Sequence, residues 1–286
     1  MLEALSTVDW GKLRHAYGWA TDTPDDIRGL VDPDPQVRAY AFDQLGMSIV
    51  HQTSLCPAAA AAIPFLTEIV ASPETPDKAL VLGLLAELAR GGVDPFEQTE
   101  EYGVHVSPEG YLEDGSGPWG PPLLQLVRER LAEGVTTYVA LLEDPEPRSR
   151  LQVTDLLSEL PEHVGAIAPA LVRYLETETE ERARANAIWV LHQLAGKQHT
   201  DLFARLAEEE QPRLAHLAAL GGVSRCSGTQ RPGPRPRSYC PWSKPPTAIW
   251  CNAGTPCPPR GSSSAIWPSH WPASARTTLP CSCRRW

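Results

Sequence analysis

The first 224 residues of this 286-residue chain contain little cysteine and no long apolar run. Cys56 is their single cysteine, which excludes a disulfide framework there and favours a reducing compartment. No run approaches the roughly 18 apolar residues of a membrane-spanning helix. The opening residues, MLEALSTVDWGKL, lack the basic start and apolar stretch of a signal peptide. These absences predict a soluble, cytoplasmic protein with no membrane partner.

Acidic residues are missing from the C-terminal part of the chain. All 35 acids lie in residues 1–224, together with 16 Lys and Arg, whereas residues 225–286 contain nine Lys and Arg and no acid. An acidic body disfavours nucleic acid as a partner, because phosphate binding needs clustered basic side chains. The charge instead favours a basic protein partner or a cationic ligand.

Helical periodicity dominates residues 1–222. In RSRLQVTDLLSEL, apolar residues recur at i, i+3, i+4 and i+7, namely at Val153, Leu156, Leu157 and Leu160. Similar stripes run through KALVLGLLAELARG and ERARANAIWVLHQLAG. Such spacing places the apolar side chains on one face of an α-helix. Because no stretch alternates convincingly with a period of two, the sequence predicts an all-α fold.

A proline-rich acidic corner occurs twice and is followed each time by a helical run. LVDPDPQVRAYAFDQL at residues 30–45 returns as LLEDPEPRSRLQVTDLL at residues 141–157, and ETETEERARANAIWVLHQL at 176–194 is a looser copy. In this alignment Arg38, Arg150 and Arg182 correspond. Recurrence of this kind predicts a solenoid of two-helix units.

The residues of this corner have a structural explanation. Its prolines fix φ and disfavour helix at the preceding residue, so the first helix of each pair must end there. Asp34 and Glu146 lie where the second helix begins, and its dipole favours a negative charge there by about 0.3–1 kcal/mol. Arg38 and Arg150 follow four residues later, within reach of those carboxylates or of the turn of the next repeat. We therefore interpret the corner as a connection between helices and not as a catalytic pair.

Pro-x-Leu-x-x-x-Leu, an acidic turn, an Arg and an Ala/Leu-rich second helix together resemble the HEAT repeat family, specifically its bacterial, PBS-lyase-like type. The resemblance covers roughly residues 24–222 and is strongest in residues 165–195. It implies an α-α superhelix of about five HEAT-like helix pairs that binds other macromolecules along a curved surface. A minority of the family are lyases, DNA-glycosylase-like enzymes or immunity proteins that neutralise a toxin.

An acidic insert at residues 94–122 interrupts the helix pairs. It contains seven acids and no Lys or Arg. Long loops inside compact folds are often functional, and aromatic residues dominate interface hot spots. The insert therefore predicts a surface for a basic partner, although its aromatic rings could equally pack down on the helices, and EYGVHVSPEGYL could form a short hairpin. The candidate residues are Tyr102, Tyr111, Glu113, Asp114 and Trp119.

A second group of candidates lies on the second helices, where the HEAT resemblance implies a concave face. These polar residues flank the apolar stripes and could also be ordinary solvated positions. They are Asp43, Gln44, Asp155, Glu159 and His192.

No metal motif, cofactor motif or catalytic set stands out in the body. His15, His51 and His192 have no ligand-spaced partner and are interpreted as hydrogen-bonding residues. Cys56 is interpreted as a small packing residue at the start of a helix. We predict no catalytic residue, no metal and no cofactor.

The segment of residues 223–286 contains 12 prolines and has neither a helical nor a strand period. Its six cysteines lack a CxxC pair, so a zinc site is disfavoured. Its composition matches GC-rich coding DNA read in a wrong frame, which makes a frameshift near residues 221–226 one explanation. An authentic unstructured tail is the other.

These observations predict a non-enzymatic protein–protein scaffold or adaptor in a bacterial cytoplasm. Its partner is expected to be basic, and a toxin-immunity protein would be one example. The alternative is a HEAT-type enzyme, either a lyase or a DNA-glycosylase-like protein, although DNA binding would require a basic groove.

Overall fold

The structure is a computed structural model that describes residues 2–51, 53–92, 103–208 and 219, with residues 250–251 and 255–256 near the C-terminus. The chain divides into two compact units, Met1–Gln230 and Arg231–Trp286. In the second unit, the strands β5 (Trp250–Cys251) and β6 (Thr255–Pro256) pair antiparallel. The other residues of the segment 223–286, which the sequence predicts to be unstructured, lie outside the described residues.

The described part of the first unit is mostly helical, which confirms the helical prediction. Short 3₁₀ turns at Glu3–Thr7 and Trp10–Lys12 precede the first hairpin. The α-helices of this part are α1 Thr23–Gly29, α2 Pro35–Ile49, α3 Pro57–Ala71, α4 Lys78–Arg90, α5 Pro121–Glu133, α6 Val135–Ala140, α7 Pro147–Ser158, α8 Val164–Thr177, α9 Glu181–Ala195 and α10 Thr200–Glu208. None of these helices has the length and apolar character that crossing a membrane requires.

The helices pack as consecutive pairs in two rows. The α1 helix packs on α2, α3 on α4, α6 on α7 and α8 on α9. Neighbouring pairs are also in contact. In one row, α1 contacts α3 and α3 contacts α5. In the other row, α2 contacts α4, α4 contacts α7, and α7 contacts α9. The apolar stripes meet between the rows, where Leu66, Leu84 and Leu157 are fully buried. This arrangement follows from helices that each carry one apolar face.

Proline marks equivalent places in the pairs. Pro35 and Pro147 are the first residues of α2 and α7, where a missing N–H has no helical partner to lose. Pro64 and Pro169 lie inside the first helices α3 and α8, and both are exposed. Their rings therefore face away from the packed interior in both of these first helices.

Three corners share the same acid geometry. At each, the first acid accepts a hydrogen bond from the backbone N–H two residues later, at 2.8 Å for Asp32, 2.9 Å for Asp144 and 2.7 Å for Glu178. The next acid caps the second helix in two of them, since Asp34 accepts from the N–H of Gln36 and Glu180 from that of Ala183. These bonds satisfy N–H groups that a helix start leaves open.

The arginine of each corner folds back on the turn that precedes it. Arg38 donates to the carbonyl oxygens of Asp32 and Pro33, and Arg150 to those of Asp144 and Pro145. In the third corner, Arg184 makes this contact, donating to the carbonyl of Glu178 at 3.3 Å. The alignment of Arg182 with Arg38 and Arg150 is therefore wrong by two residues. Arg184 is buried, whereas Arg182 is exposed.

Basic side chains also connect each corner to the next. We refer to these three ion pairs as the corner ladder: Arg38 with Asp77 at 2.7 Å, Lys78 with Asp144 at 2.9 Å and Arg150 with Glu178 at 2.6 Å. The arginines thus reach the turn of the following pair and not the helix-start carboxylates Asp34 and Glu146. The ladder fixes how successive pairs stack.

Candidate functional site: a surface of hairpins

Two short hairpins and the insert meet beside the first helix pairs. The strands β1 (Arg14–His15) and β2 (Gly18–Trp19) form one hairpin, and β3 (Val50–His51) and β4 (Ser54–Leu55) form the other. Backbone hydrogen bonds hold them in place, from the Ala16 N–H to the Ser48 carbonyl at 2.8 Å and from the Leu55 N–H to the Gly92 carbonyl at 2.8 Å. Period-two patterning did not reveal these strands because each has two residues.

The described part of the insert, residues 103–120, packs against this region. An antiparallel bridge joins Val106 to Leu112, within the stretch where a hairpin was an open possibility. Gly117 has a φ of 131°, and a Cβ there would lie 2.9 Å from the Pro57 ring. The close approach to the start of α3 therefore requires glycine.

Arg14 connects the insert to the first hairpin. Its Nε donates to Asp114 Oδ2 at 2.5 Å, and its guanidinium carbon lies 4.4 Å from the centroid of the Trp19 ring. Asp114 also accepts from the Ser116 N–H at 2.9 Å. Burial raises the pKa of Asp114, but the hydrogen bonds from Ser116 and Arg14 outweigh it and lower that pKa. Asp114 therefore connects the insert to the first hairpin, and Arg14 already compensates its charge.

Aromatic side chains are exposed around the ion pair of Arg14 and Asp114. Tyr17 is 62% exposed, Trp19 44% and Tyr111 52%. The Tyr17 ring lies 5.4 Å from the ring of His51, and its hydroxyl is 3.3 Å from His51 Nδ1. Large, fixed aromatic rings of this kind are enriched at interface hot spots. We define the hairpin surface as Tyr17, Trp19 and Tyr111 with the exposed acids Glu109 and Glu113.

His15 holds Tyr17 in position. Its Nε2 lies 2.8 Å from Asp22 Oδ1, and its Nδ1 accepts from the Tyr17 backbone N–H at 3.0 Å. Both ring nitrogens are therefore engaged, and a neutral His15 donates from Nε2 to Asp22. Nearby, burial and the charge of Asp22 raise the pKa of Asp26 to about 6. The interpretation of His15 as a hydrogen-bonding residue fits this geometry.

The predicted insert residues have different surroundings. Tyr111 and Glu113 are exposed, as a binding role requires. Trp119 is only 4% exposed and belongs to the apolar core, so its ring is not available to a partner in this structure. The possibility that aromatic rings pack down on the helices thus applies to Trp119. Tyr102 lies outside the described residues.

The predicted residues of the second helices do not form one acidic patch. Asp155 and Glu159 on α7 both bind Arg90 of α4, with 3.1 Å from Arg90 Nε to Glu159 Oε1. Burial lowers the pKa of Arg90, but the two carboxylates raise it more. Sequence patterns could not reveal this partner because Arg90 lies 65 residues before Asp155. Arg90 therefore compensates one of the two negative charges and holds both carboxylates in ion pairs.

The other three residues lie at the two ends of the row. Asp43 is exposed and Gln44 half-buried, both on α2. His192 on α9 is half-buried, and its ring lies 5.6 Å from that of Phe203 and 6.2 Å from that of Trp189. His192 thus contributes to packing between α9 and α10, whereas Asp43 and Gln44 face outward beside the hairpins.

Cys56 lacks the features of a nucleophile. It is 1% exposed at the start of α3, and its Sγ donates to the carbonyls of Ser48 and Ile49. Burial raises the pKa of this thiol to about 12, so it is protonated at neutral pH. Across the ranges that the structure describes, no three His, Cys, Asp or Glu side chains are grouped so as to hold a metal ion.

Comparison with known proteins adds no relative. No family model matches the chain, and no curated protein or solved structure shows significant similarity to it.

Proposed function

We propose that this protein is a non-enzymatic scaffold of HEAT-like helix pairs that binds a basic protein partner in a bacterial cytoplasm. The two rows of helix pairs and the recurrent corner support a solenoid. Solenoids of helix pairs bind partners along extended surfaces. An immunity protein that neutralises a basic toxin would be one protein of this kind.

The hairpin surface is the observation that carries this proposal. Its three aromatic rings are exposed although internal contacts already fix Tyr17 and Trp19. Rings held in this way lose little conformational freedom when a partner covers them. Glu109 and Glu113 add negative charge at the edge, where complementary charge steers association and selects a basic partner.

Affinity capture with the full-length chain tests the proposal. The tagged protein is exposed to an extract of cells that express it natively, and retained proteins are identified by mass spectrometry. We expect one basic protein in stable complex, released by raised salt because its contacts are partly ionic. Replacing both aromatic residues, Trp19→Ala with Tyr111→Ala, should weaken the complex by at least tenfold, since interface hot spots contribute about 2 kcal/mol or more.

A charge-matched pair separates a local effect from a general one. Glu113→Lys reverses charge at the hairpin surface, and Glu176→Lys makes the same change at an exposed position on α8. Only Glu113→Lys should weaken binding. Capture of no partner, or equal capture by wild type and the double aromatic variant, would contradict the proposal.

A further inference from the structure

The α2 helix carries a second apolar stripe on its outer side. Val37 is 41% exposed, Tyr40 64% and Met47 46%. Together with Gln44 they follow the spacing 3, 4 and 3, which keeps them on one face of the helix. The inner face of α2 is distinct, since Ala41, Leu45, Ser48 and Ile49 are buried against the neighbouring helices. We define the outer stripe as Val37, Tyr40, Gln44 and Met47.

The stripe has the dimensions of a helix-binding face. Met47 lies ten positions after Val37, which at 1.5 Å per residue is about 15 Å, or three helical turns. The 3, 4, 3 spacing is that of alternating a and d positions in helices that pack side by side. An amphipathic helix with apolar residues at i, i+3 or i+4 and i+7 would cover it.

The charges beside the stripe select the sign of the occupant. The α2 helix and its N-cap carry two exposed acids, Asp34 and Asp43, and one base. This base, Arg38, is already bound to Asp77 at 2.7 Å. Asp43 is exposed next to the stripe. A cationic helix is therefore complementary to this face, whereas a second copy would place two acidic faces against each other.

We infer that the outer stripe of α2 docks a basic amphipathic helix of the partner protein. This inference rests on the proposed function and names the structural class of the partner element. Tyr40 and Met47 supply the apolar contacts, and Asp43 pairs with a Lys or Arg of the incoming helix. Gln44, predicted as a binding residue, lies between the two apolar contacts and can hydrogen-bond to that helix at its polar edge.

Model peptides test the inference without knowledge of the natural partner. The probes are two fluorescein-labelled 18-residue peptides, one of Leu and Lys in amphipathic helical order and one in which every Lys is Glu. Fluorescence anisotropy with the full-length chain should show binding of the Lys peptide and at least tenfold weaker binding of the Glu peptide. Tyr40→Ser and Met47→Ser should each weaken binding of the Lys peptide by at least tenfold, and Asp43→Lys by at least threefold.

A matched variant separates the stripe from net charge. Glu176→Lys changes the net charge as Asp43→Lys does and should leave peptide binding unchanged. Circular dichroism checks folding. Met47→Lys tests the stripe at a second exposed position, independently of any effect of Tyr40 on stability.

Two results would overturn the inference. One is binding of the Lys peptide that is absent or unaffected by Tyr40→Ser and both Met47 variants. The other is a wild-type dimer in light scattering that Tyr40→Ser converts to a monomer, because a second copy would then cover the stripe. In either case, capture of a native partner that still depends on Trp19 and Tyr111 would leave the proposed function standing.

Discussion

Removal of the ion pair between Arg150 and Glu178 should destabilise the helix stack measurably. The Glu178 side chain is fully buried, and it accepts from Arg150 Nε at 2.6 Å, from the second Arg150 amino group at 3.0 Å, and from the Tyr174 hydroxyl. Arg150 reaches it from the preceding corner and so links two helix pairs. We consider the single variants Arg150→Ala and Glu178→Ala and the double variant that combines them.

The magnitude follows from the pKa of Glu178. Burial raises this pKa, but the hydrogen bonds from Arg150 and Tyr174 bring it down from its usual 4.5 to about 2. At 1.36 kcal/mol per pKa unit, this shift corresponds to about 3 kcal/mol, shared among all the groups that bind the carboxylate. Solvent at the partly exposed Arg150 screens part of its contribution. We expect a coupling energy of about 2 kcal/mol between the two side chains.

Urea unfolding, followed by circular dichroism at pH 7, measures the coupling through a double-mutant cycle. The control cycle uses Arg130 and Glu133, whose charged groups lie 3.0 Å apart and whose side chains are 42% and 60% exposed. Such exposed pairs contribute about 0.2–1 kcal/mol. Because the pKa of Glu178 is lowered in the fold, its contribution is present above pH 4.5 and disappears as the pH falls through 2. Coupling no larger than in the control, or unchanged at pH 2, would refute the reasoning.

Two further predictions concern the third corner and the acids of α1. Arg184→Ala should lower the free energy of unfolding by about 1–3 kcal/mol, because it leaves buried carbonyls without a donor. Arg182→Ala should change it by less than about 0.5 kcal/mol. Equal effects of the two variants in urea unfolding would support the original alignment of Arg182. Asp26→Asn should raise the melting temperature at pH 7 and leave it unchanged below pH 3.8, because the raised pKa of Asp26 makes its ionised form unfavourable in the fold; a gain that persists at pH 3 would contradict this.

Local chemistry made the corners predictable from the sequence. Proline restrictions and helix capping act within a few residues, so the starts of α2 and α7 at Pro35 and Pro147 followed from the DPDP and DPEP motifs. The partners of the corner arginines were not predictable, since Asp77 is 39 residues from Arg38 and Glu178 is 28 from Arg150. The two-residue error at Arg182 arose because the third corner has no proline to mark the helix start.

Exposure was the property of the site that the sequence could not supply. Trp19 ends the strand β2 and Trp119 lies in the insert, and both have Gly and aromatic residues near them in the sequence, yet Trp119 is buried and Trp19 is exposed. Which ring is buried depends on the packing of the insert against the start of α3, through the close contact of Gly117 with Pro57. Composition identifies the insert as unusual, but it cannot place the first hairpin beside the insert, because that depends on the long-range contact of Arg14 with Asp114.

The distribution of paired and exposed acids determines where a basic partner can bind. Asp155 and Glu159 are bound by Arg90, and Asp114 is bound by Arg14, so a cationic partner would have to displace an existing ion pair at each of them. Displacement leaves a charge without its partner, which offsets the gain. The exposed acids Asp43 and Glu113 carry no such penalty, and each lies beside exposed apolar side chains. The acids between α4 and α7 therefore hold the helix stack together, and a partner of the proposed kind is expected to bind at α2 and the insert.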